Sequence, residues 1–256
     1  MNIVVCIKQV PDVDDIKWTK ENNLDRANML SKLNTLDEYA LDYAVEIKQK
    51  YKNVTITAYS MGPTQAADSL EYALAKGASR AVLLSDKLFS GSDTYATAKI
   101  LSAAIKKYSP DFNLILTGQA AADGDTEQTH ISIAQTLDII DATSVVDIPN
   151  ADKHRVIAVQ NLNNEVNTFE LKTPCIIAVK QPCKTKYVPN IEDYIRAQNT
   201  KIEVYNADDL KFEKKDVGIM GSPTMVEKTY RPVTEKNTIE ITENKTEAIL
   251  KFMLGE

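Results

Sequence analysis

The sequence is poor in the side chains that carry nucleophilic and metal chemistry. Only two histidines occur in 256 residues, His130 and His154, and they lie far apart in the chain. The three cysteines, Cys6, Cys175 and Cys183, show no Cys-x-x-Cys spacing. Zinc sites and disulfide frameworks need clustered ligands or paired cysteines, and a histidine-activated nucleophile needs its base close by. We therefore expect no metal site, no disulfide and no catalytic residue.

The sequence also lacks the signals of membrane and nucleic-acid proteins. No apolar run approaches the roughly 18 residues that a membrane helix needs, and residues 1–8 show no signal-peptide pattern. The 30 Lys and Arg residues stand against 36 Asp and Glu, and no long basic run occurs. We therefore expect a cytoplasmic protein that neither enters a membrane nor binds nucleic acid.

The first 140 residues alternate between strand and helix patterns. Short apolar, β-branched runs predict strands at residues 2–7, 54–59, 81–84 and 114–116. Helical periodicity lies between and after them, at residues 35–51, 63–77, 95–108 and 130–137. This alternation predicts right-handed crossovers and the α/β class, with a doubly wound, mainly parallel sheet. In the first helix, Thr35 with Glu38 has capping-box spacing, so we expect Thr35 to be the N-cap.

The alternation of strand and helix patterns ends after residue 140. The sequence predicts short strands at residues 144–148, 156–160, 166–171 and 175–179. No helical pattern lies between them, which indicates an antiparallel extension of the sheet. The nucleotide-binding domain should therefore end near residue 180.

The remaining residues form a C-terminal arm in this interpretation. Prolines interrupt residues 181–236, and only residues 191–198 look helical. Long segments of weak pattern are uncommon inside a small domain, so we expect an extended arm that lies on a partner, with disorder as the alternative. Residues 237–256 contain a one-sided apolar helix that should dock on another subunit.

The strongest candidate binding site is the stretch of residues 111–129. An apolar strand run ends there in a loop of small and acidic residues that leads into the next helix. Ligands of open α/β sheets collect at the carboxyl ends of strands, and the first amides of a helix attract phosphate oxygens. Thr126, Gln128 and Thr129 lie where those amides begin. Because no Gly-x-Gly-x-x-Gly or Walker sequence is present, an ordinary strand-to-helix loop is the alternative.

Five separated segments resemble the electron transfer flavoprotein β subunit. They read Val-Cys-Ile-Lys-Gln-Val-Pro-Asp at 5–12, Asn-Thr-Leu-Asp-Glu-Tyr-Ala at 34–40, Met-Gly-Pro at 61–63, Gly-Gln-Ala-Ala-Ala-Asp-Gly-Asp-Thr at 118–126 and Val-Pro-Asn-Ile at 188–191. The resemblance spans most of the chain in the same order. One departure is the single acid in residues 161–165, where the family has an acidic cluster.

The resemblance implies a nucleotide α-hydrolase-like variant of the Rossmann fold that pairs with an α subunit. It also implies a nucleotide site at the carboxyl edge of the sheet. The implied cofactor-binding residues are Cys6, Asn34, Thr35, Leu36, Asp37, Met61, Gly118, Gln119, Ala120, Ala121, Ala122, Asp123, Gly124, Asp125, Thr126, Glu127, Gln128 and Thr129.

The resemblance leaves two nucleotides open. Simple electron carriers of the family hold AMP in the β site, whereas electron-bifurcating members hold FAD there, close to NAD(H). The loop Asp-Gly-Asp-Thr at residues 123–126 is similar to the bifurcating type, so we favour FAD. The implied redox partners are ferredoxin or flavodoxin and a flavin dehydrogenase of the acyl-CoA, enoyl-CoA or 2-hydroxy-acid type.

Residues 184–196 resemble the segment with which the family recognises its dehydrogenase. Val188, Pro189 and Ile191 are the implied partner-binding residues, and burial within the arm is the alternative for Val188. A third interpretation is an ATP-binding sensor or nucleotide hydrolase without flavin. Such modules need phosphate-binding glycines, and residues 8–11 after the first strand offer none.

Overall fold

The computed structural model describes residues 1–12, 31–163, 165–225, 227 and 244–254. Its strands are β1 Asn2–Cys6, β2 Gln9–Pro11, β3 Ser31–Leu33, β4 Thr55–Met61, β5 Arg80–Leu84, β6 Leu114–Gly118, β7 Ile140–Ala151, β8 Arg155–Leu162, β9 Glu165–Lys172, β10 Cys175–Val179 and β11 Glu203–Tyr205. Its helices are α1 Thr35–Lys50, α2 Ala67–Lys76, α3 Thr94–Tyr108, α4 Thr129–Leu137, α5 Ile191–Gln198, α6 Gly218–Gly221 and α7 Lys245–Leu254.

Nine of these strands form one sheet in the order β11-β5-β4-β1-β6-β10-β7-β8-β9. Strands β11 to β7 in this order pair in parallel, and β8 and β9 continue the sheet as an antiparallel hairpin. Strands β2 and β3 pair separately. The predicted doubly wound, mainly parallel sheet with an antiparallel extension is confirmed.

The two faces of the sheet carry separate hydrophobic cores. Alternate side chains of a strand point to opposite faces, and β1 shows this directly. Ile3 and Val5 belong to the core that packs under α1 and α2, whereas Val4 and Cys6 belong to the core under α3 and α4. Because helices cover both faces, the central strands are apolar throughout, as expected for a parallel sheet.

The predicted place of the strand at residues 175–179 was wrong. We expected it in the antiparallel extension, but β10 lies between β6 and β7 and runs parallel to both. All five residues of β10 are buried. A strand buried on both faces belongs in the middle of a parallel sheet, and the chain returns to this position from the edge strand β9 without an intervening helix.

The predicted cap of the first helix was also wrong. The N-cap of α1 is Asn34, and its side chain makes no capping hydrogen bond. Glu38 instead accepts hydrogen bonds from Tyr72 and Lys76 of α2. Tertiary contacts have therefore replaced the local capping box.

The described part of the expected arm packs on the chain's own domain. Helix α5 lies against α2, and β11 adds a parallel edge strand beside β5. Further along, Asp93 at the start of α3 accepts hydrogen bonds from the backbone and hydroxyl of Thr224. In α7, Ile249, Leu250 and Phe252 are exposed. Residues 237–243 and 255–256 lie outside the described part, and docking of α7 on another subunit stays a prediction.

Three properties of the described residues bear on function. Within these ranges, no helix combines the length and the apolar character that crossing a membrane requires. No group of three or more His, Cys, Asp and Glu side chains there is placed to hold a metal ion. The three cysteines are free and buried.

A fully buried lysine joins α1 to α2. The Lys76 ammonium lies 2.5 Å from Asp42 Oδ1 and 3.1 Å from Glu38 Oε1, and its side chain is inaccessible to solvent. Lys186 of the arm lies 3.3 Å from the same Glu38 oxygen. Buried charges of this kind are tolerated only while they stay paired.

We predict that Lys76→Met destabilises the protein strongly, because the substitution leaves Asp42 buried without its partner. The free energy of unfolding, measured by urea denaturation, should fall by about 3 kcal/mol or more. Lys251→Met, which breaks an exposed pair with Glu247, is the matched control and should change it by no more than about 0.5 kcal/mol. Equal effects of the two substitutions would contradict the prediction.

Candidate functional site

The candidate site lies where the winding of the sheet reverses. Strand β1 has β4 on one side and β6 on the other. The chain leaves β1 through α1 towards β4, and it reaches β6 later through α3. Open α/β sheets form a crevice at such a switch point, outside the carboxyl ends of the strands.

The structure brings the sequence-predicted residues together at this edge. Cys6 at the end of β1 pairs in register with Thr117 of β6, and Met61 ends the next strand, β4. Residues 34–37 form the start of α1, and residues 118–129 run from the end of β6 into α4. The predicted segments therefore surround one crevice, although they are distant in sequence.

Asp37 ties the two sides of the crevice together. Its buried carboxylate accepts hydrogen bonds from the backbone amide of Lys8, at 2.8 Å, and from that of Gly118, at 3.0 Å. Burial raises the pKa of Asp37 to about 7, although the donated hydrogen bonds oppose the shift. Burial and the nearby Asp37 charge also raise the pKa of the Cys6 thiol to about 12. Cys6 is therefore a protonated, unreactive wall residue.

Gly118 permits this close approach between α1 and β6. A Cβ atom at this position would lie 2.5 Å from Asp37 Oδ1 and 2.7 Å from the backbone carbonyl carbon of Leu36. Gly124 differs, because a Cβ there would meet no atom within 4 Å. The chain itself requires glycine at 118, whereas position 124 faces open space.

Asn34 and Lys8 hold the loop after β6. The buried Asn34 side chain donates to the carbonyl of Ala120, at 2.8 Å, and accepts from the amide of Ala122, at 3.2 Å. This engagement explains why it does not cap α1. The Lys8 ammonium lies 2.7 Å from Asp123 Oδ1. Asp123 is thereby directed towards a cation of the protein.

Gln119 has a structural role. Its side-chain amide donates to the hydroxyl of Thr143, at 2.7 Å, and to Glu127, at 3.2 Å. Its carbonyl accepts from the amide of Ser144, at 2.8 Å. Gln119 is buried, and its polar atoms join the loop to β7 and leave little capacity for a ligand.

The start of α4 is open to a polar ligand. Its N-cap residue, Gln128, makes no side-chain capping bond, and residues 122–128 are exposed. Helical amides that lack a cap attract anions. Thr126 is exposed and Thr129 is half-buried, so both hydroxyls lie beside these amides in sequence.

Sequence reasoning missed two residues that flank the loop. Thr117 Oγ1 and His130 Nε2 are buried and have no hydrogen-bond partner within the described part of the chain. Leaving such an atom unpaired costs about 1–3 kcal/mol. Burial lowers the pKa of His130, against the charges of Asp141 and Glu127, so its imidazole is neutral. The only sequence signals were a threonine closing an apolar strand and a histidine in the first helical turn. These unpaired atoms fit a site for a hydrogen-bonding ligand.

Comparison with known proteins assigns the family. Residues 23–210 match the family described as the electron transfer flavoprotein domain. The electron transfer flavoprotein subunit beta of Thermoanaerobacterium thermosaccharolyticum is 38% identical over 251 residues, which cover 97% of this chain and 95% of that protein. The chain belongs to the electron transfer flavoprotein β-subunit family.

Two further relatives of this chain have different names. The caffeyl-CoA reductase-Etf complex subunit CarD of Acetobacterium woodii is 36% identical over 234 residues, covering 91% of this chain and 88% of that protein. Protein FixA of Sinorhizobium fredii is 35% identical over 250 residues, with coverage of 94% and 87%. The resemblance drawn from five sequence segments is confirmed.

The implied partner-binding residues of this flavoprotein subunit lie in the arm. Val188, Pro189 and Ile191 precede and begin α5, which packs on α2 away from the switch point. Val188 is 73% exposed and Ile191 is 77% exposed, whereas Pro189 is half-buried. Burial of Val188 within the arm, the alternative considered from the sequence, is wrong.

A cavity of about 560 Å³ lies beside α5 but is distinct from the crevice. It is lined by the last turns of α1 and α2 and by the arm, at the opposite edge of the sheet. Its cations already have acceptors, since Lys48 donates to the Gly77 carbonyl and Arg196 to those of Leu74 and Ala75. These side chains neutralise the carbonyl end of α2.

We predict that Asp37 makes stability depend on pH. An unfolded Asp releases its proton near pH 3.8, whereas folded Asp37 holds it to about pH 7. The folded state therefore binds more protons across this window, and the stabilisation from Asp37 is lost as the pH rises through it. The stability difference between the parent and Asp37→Asn should shift against the parent by up to about 1.4 kcal/mol per pH unit.

Urea denaturation at pH 5, 6, 7 and 8 measures this difference. The shift should appear between pH 5 and 7 and level off at pH 8. Asp111→Asn, which alters an exposed carboxyl, should show no such shift relative to the parent. A pH-independent difference for Asp37→Asn would show that its carboxyl does not titrate in this window.

Proposed function

We propose that this chain is the FAD-binding β subunit of a heterodimeric electron transfer flavoprotein that carries out electron bifurcation. The observation that carries the proposal is the Asp-Gly-Asp-Thr loop at residues 123–126, placed between β6 and the uncapped start of α4. A relative named as a subunit of a caffeyl-CoA reductase-Etf complex supports an assembly with another redox protein.

The loop offers donors that suit a diphosphate. A diphosphate carries about two negative charges and is bound by backbone amides and hydroxyls. The first amides of α4 and the hydroxyls of Thr126 and Thr129 are the donors in this proposal. Asp123 is already neutralised by Lys8 at 2.7 Å, which reduces repulsion of the phosphates. Asp37 accepts a hydrogen bond from the Gly118 amide at the start of the loop, and Asn34 bonds to Ala120 and Ala122 within it.

The chain's own contribution is binding and electrostatics. When bound, FAD supplies the chemistry that accepts electrons in pairs and releases them singly. In this proposal NADH is the donor, and the acceptors are ferredoxin or flavodoxin and, through the α subunit, a flavin dehydrogenase. The proposed location is the cytoplasm. Thr117 and His130 supply polar atoms at the edge of the site.

AMP is the second candidate for the same site. The uncapped amides of α4 and the open space at Gly124 suit a monophosphate as well as a diphosphate. With AMP the chain would be the β subunit of a simple electron carrier. The family match gives no support to the flavin-free sensor or hydrolase considered from the sequence.

We predict that Thr126→Val lowers flavin retention in the β site. The substitution removes a hydroxyl donor and nearly keeps the volume, so only the phosphate contact is lost. The measurement is the flavin stoichiometry of the purified α/β complex after gel filtration. The parent should carry two FAD per heterodimer and the variant close to one.

Thr136→Val is the matched control, because Thr136 is exposed at the far end of α4 and donates to the Ser132 carbonyl. It should retain two FAD. One FAD plus one AMP in the parent complex would identify a simple carrier and reject bifurcation.

The dehydrogenase surface is proposed to centre on Val188. Val188 and Ile191 project from the domain, with Tyr194 and Ile195 of α5 also exposed. Apolar anchors of this kind commonly dominate an interface when they fill a pocket of the partner. The side chains proposed for docking differ from those proposed for the nucleotide, so the two sites can be tested by separate mutations.

We predict that Val188→Asp abolishes electron transfer to the dehydrogenase and leaves both flavins bound, since the buried carboxylate would be unpaired at the interface. Turnover with the dehydrogenase and flavin stoichiometry are measured on the same complex. Val166→Asp is the matched control, because Val166 is 67% exposed on β9 at the opposite edge of the sheet. Unchanged turnover in Val188→Asp would reject this surface.

A further inference from the structure

The carboxylate of Asp193 is the centre of a hydrogen-bond cluster behind the exposed residues of the arm. Its Oδ2 accepts from the Tyr187 hydroxyl, at 2.7 Å, and from the backbone amide of Asn190, at 3.0 Å. Its Oδ1 accepts from Arg196 Nη1 at 2.6 Å. The amide of Asp193 in turn donates to Asn190 Oδ1 at 3.0 Å. One side chain thus connects the residues before α5 with the helix itself.

Arg196 extends this cluster to the body of the domain. Its Nη2 donates to the carbonyls of Leu74, at 3.3 Å, and Ala75, at 3.2 Å, in the last turn of α2. Carbonyls at a helix end attract cations. Asp193 fixes the guanidinium that makes these bonds, so it links residues 187–190 to α2 through Arg196.

Burial separates the two faces of this segment. Asp193 is only 6% exposed, while Val188, Ile191 and Ile195 are 73%, 77% and 54% exposed. Helix α5 has eight residues, and helices this short are unstable alone in water. The bonds from Tyr187, Asn190 and Arg196 lower the pKa of Asp193 to about 2, so it is ionised at neutral pH. The outward apolar face therefore depends on an inward polar cluster.

We infer that Asp193 is a positioning residue that holds Val188, Ile191 and Ile195 as one preformed docking surface for the partner dehydrogenase. The inference rests on the proposed function, because it requires that this surface docks. A preformed surface loses less conformational entropy on binding. Loss of the Asp193 cluster should therefore weaken docking without slowing electron transfer in the docked complex.

The test uses Asp193→Asn in the full α/β complex. Asparagine keeps the shape of the side chain but replaces one carboxylate oxygen with an NH2 group, which can only donate. That group would face either the Arg196 guanidinium or the Tyr187 and Asn190 donors, so at least one hydrogen bond is lost. An acyl-CoA, an enoyl-CoA and a 2-hydroxy-acid dehydrogenase are assayed with the parent, and the one reduced fastest serves as the probe. The half-saturating dehydrogenase concentration should rise about tenfold, with an unchanged maximal rate.

Hydrogen exchange gives a second readout. The amides of residues 187–195 should exchange faster in Asp193→Asn, whereas those of the central strands should not change. Asp208→Asn alters an exposed carboxyl elsewhere on the arm and should match the parent in both measurements. Tyr187→Phe removes one bond to Asp193 and keeps the ring, so a smaller rise in half-saturation is expected. This variant decides the question if Asp193→Asn fails to fold.

The outcomes separate this inference from the proposed function. If Val188→Asp abolishes transfer but Asp193→Asn and Tyr187→Phe keep the parent's half-saturation, the positioning role is overturned and the docking surface stands. A lower maximal rate with unchanged half-saturation would also overturn the positioning role. If Val188→Asp transfers electrons like the parent, both the docking surface and the positioning role are overturned.

Discussion

The crevice of this protein depends on one buried carboxylate. Asp37 accepts hydrogen bonds from the amides of Lys8 and Gly118, which follow β1 and end β6. The parallel pairing of these two strands ends at Cys6 and Thr117, and Asp37 connects the backbone just beyond that point. The approach requires glycine at 118. Once it is made, Asn34 from the same turn reaches the loop carbonyl and amide that shape the site.

The starts of helices α1 and α4 differ in their contacts. The start of α1 supplies side chains that hold the protein's own backbone, and the start of α4 has no side-chain cap. At α1 these bonds are made by Asn34 and Asp37, whereas residues 122–128, which lead into α4, are exposed. Burial raises the pKa of Asp37 to about 7, so keeping its carboxylate charged near neutral pH costs free energy. The protein accepts this cost where two amides must be satisfied inside the domain.

Local sequence signals predicted the elements better than their partners. Apolar runs and helical periodicity identified the strands of the large sheet and the helices up to α4, because those signals depend on near neighbours. The short pair β2 and β3 was missed. The position of β10 depends on pairing with β6 and β7, which local pattern does not encode. Asn34 and Thr35 are both good cap residues, and local pattern does not show that Asn34 precedes the helix while its side chain bonds to Ala120. Thr117 and His130 were missed because only the tertiary structure shows whether a buried polar atom has a hydrogen-bond partner.

The described part of the arm shows how a segment with a weak hydrophobic pattern is attached to the domain. Polar contacts hold much of it, including the Arg80 pair with Glu203 at 2.6 Å and the hydrogen bond from the Ala207 amide to Asp86 at 3.0 Å. Polar attachments leave no hydrophobic periodicity, so the segment looked unattached in the sequence. Apolar side chains attach it as well, since Ala207, Leu210 and Val217 are buried in the core under α3. Val188 and Ile191 take part in neither kind of attachment and stay exposed on the described part of the chain.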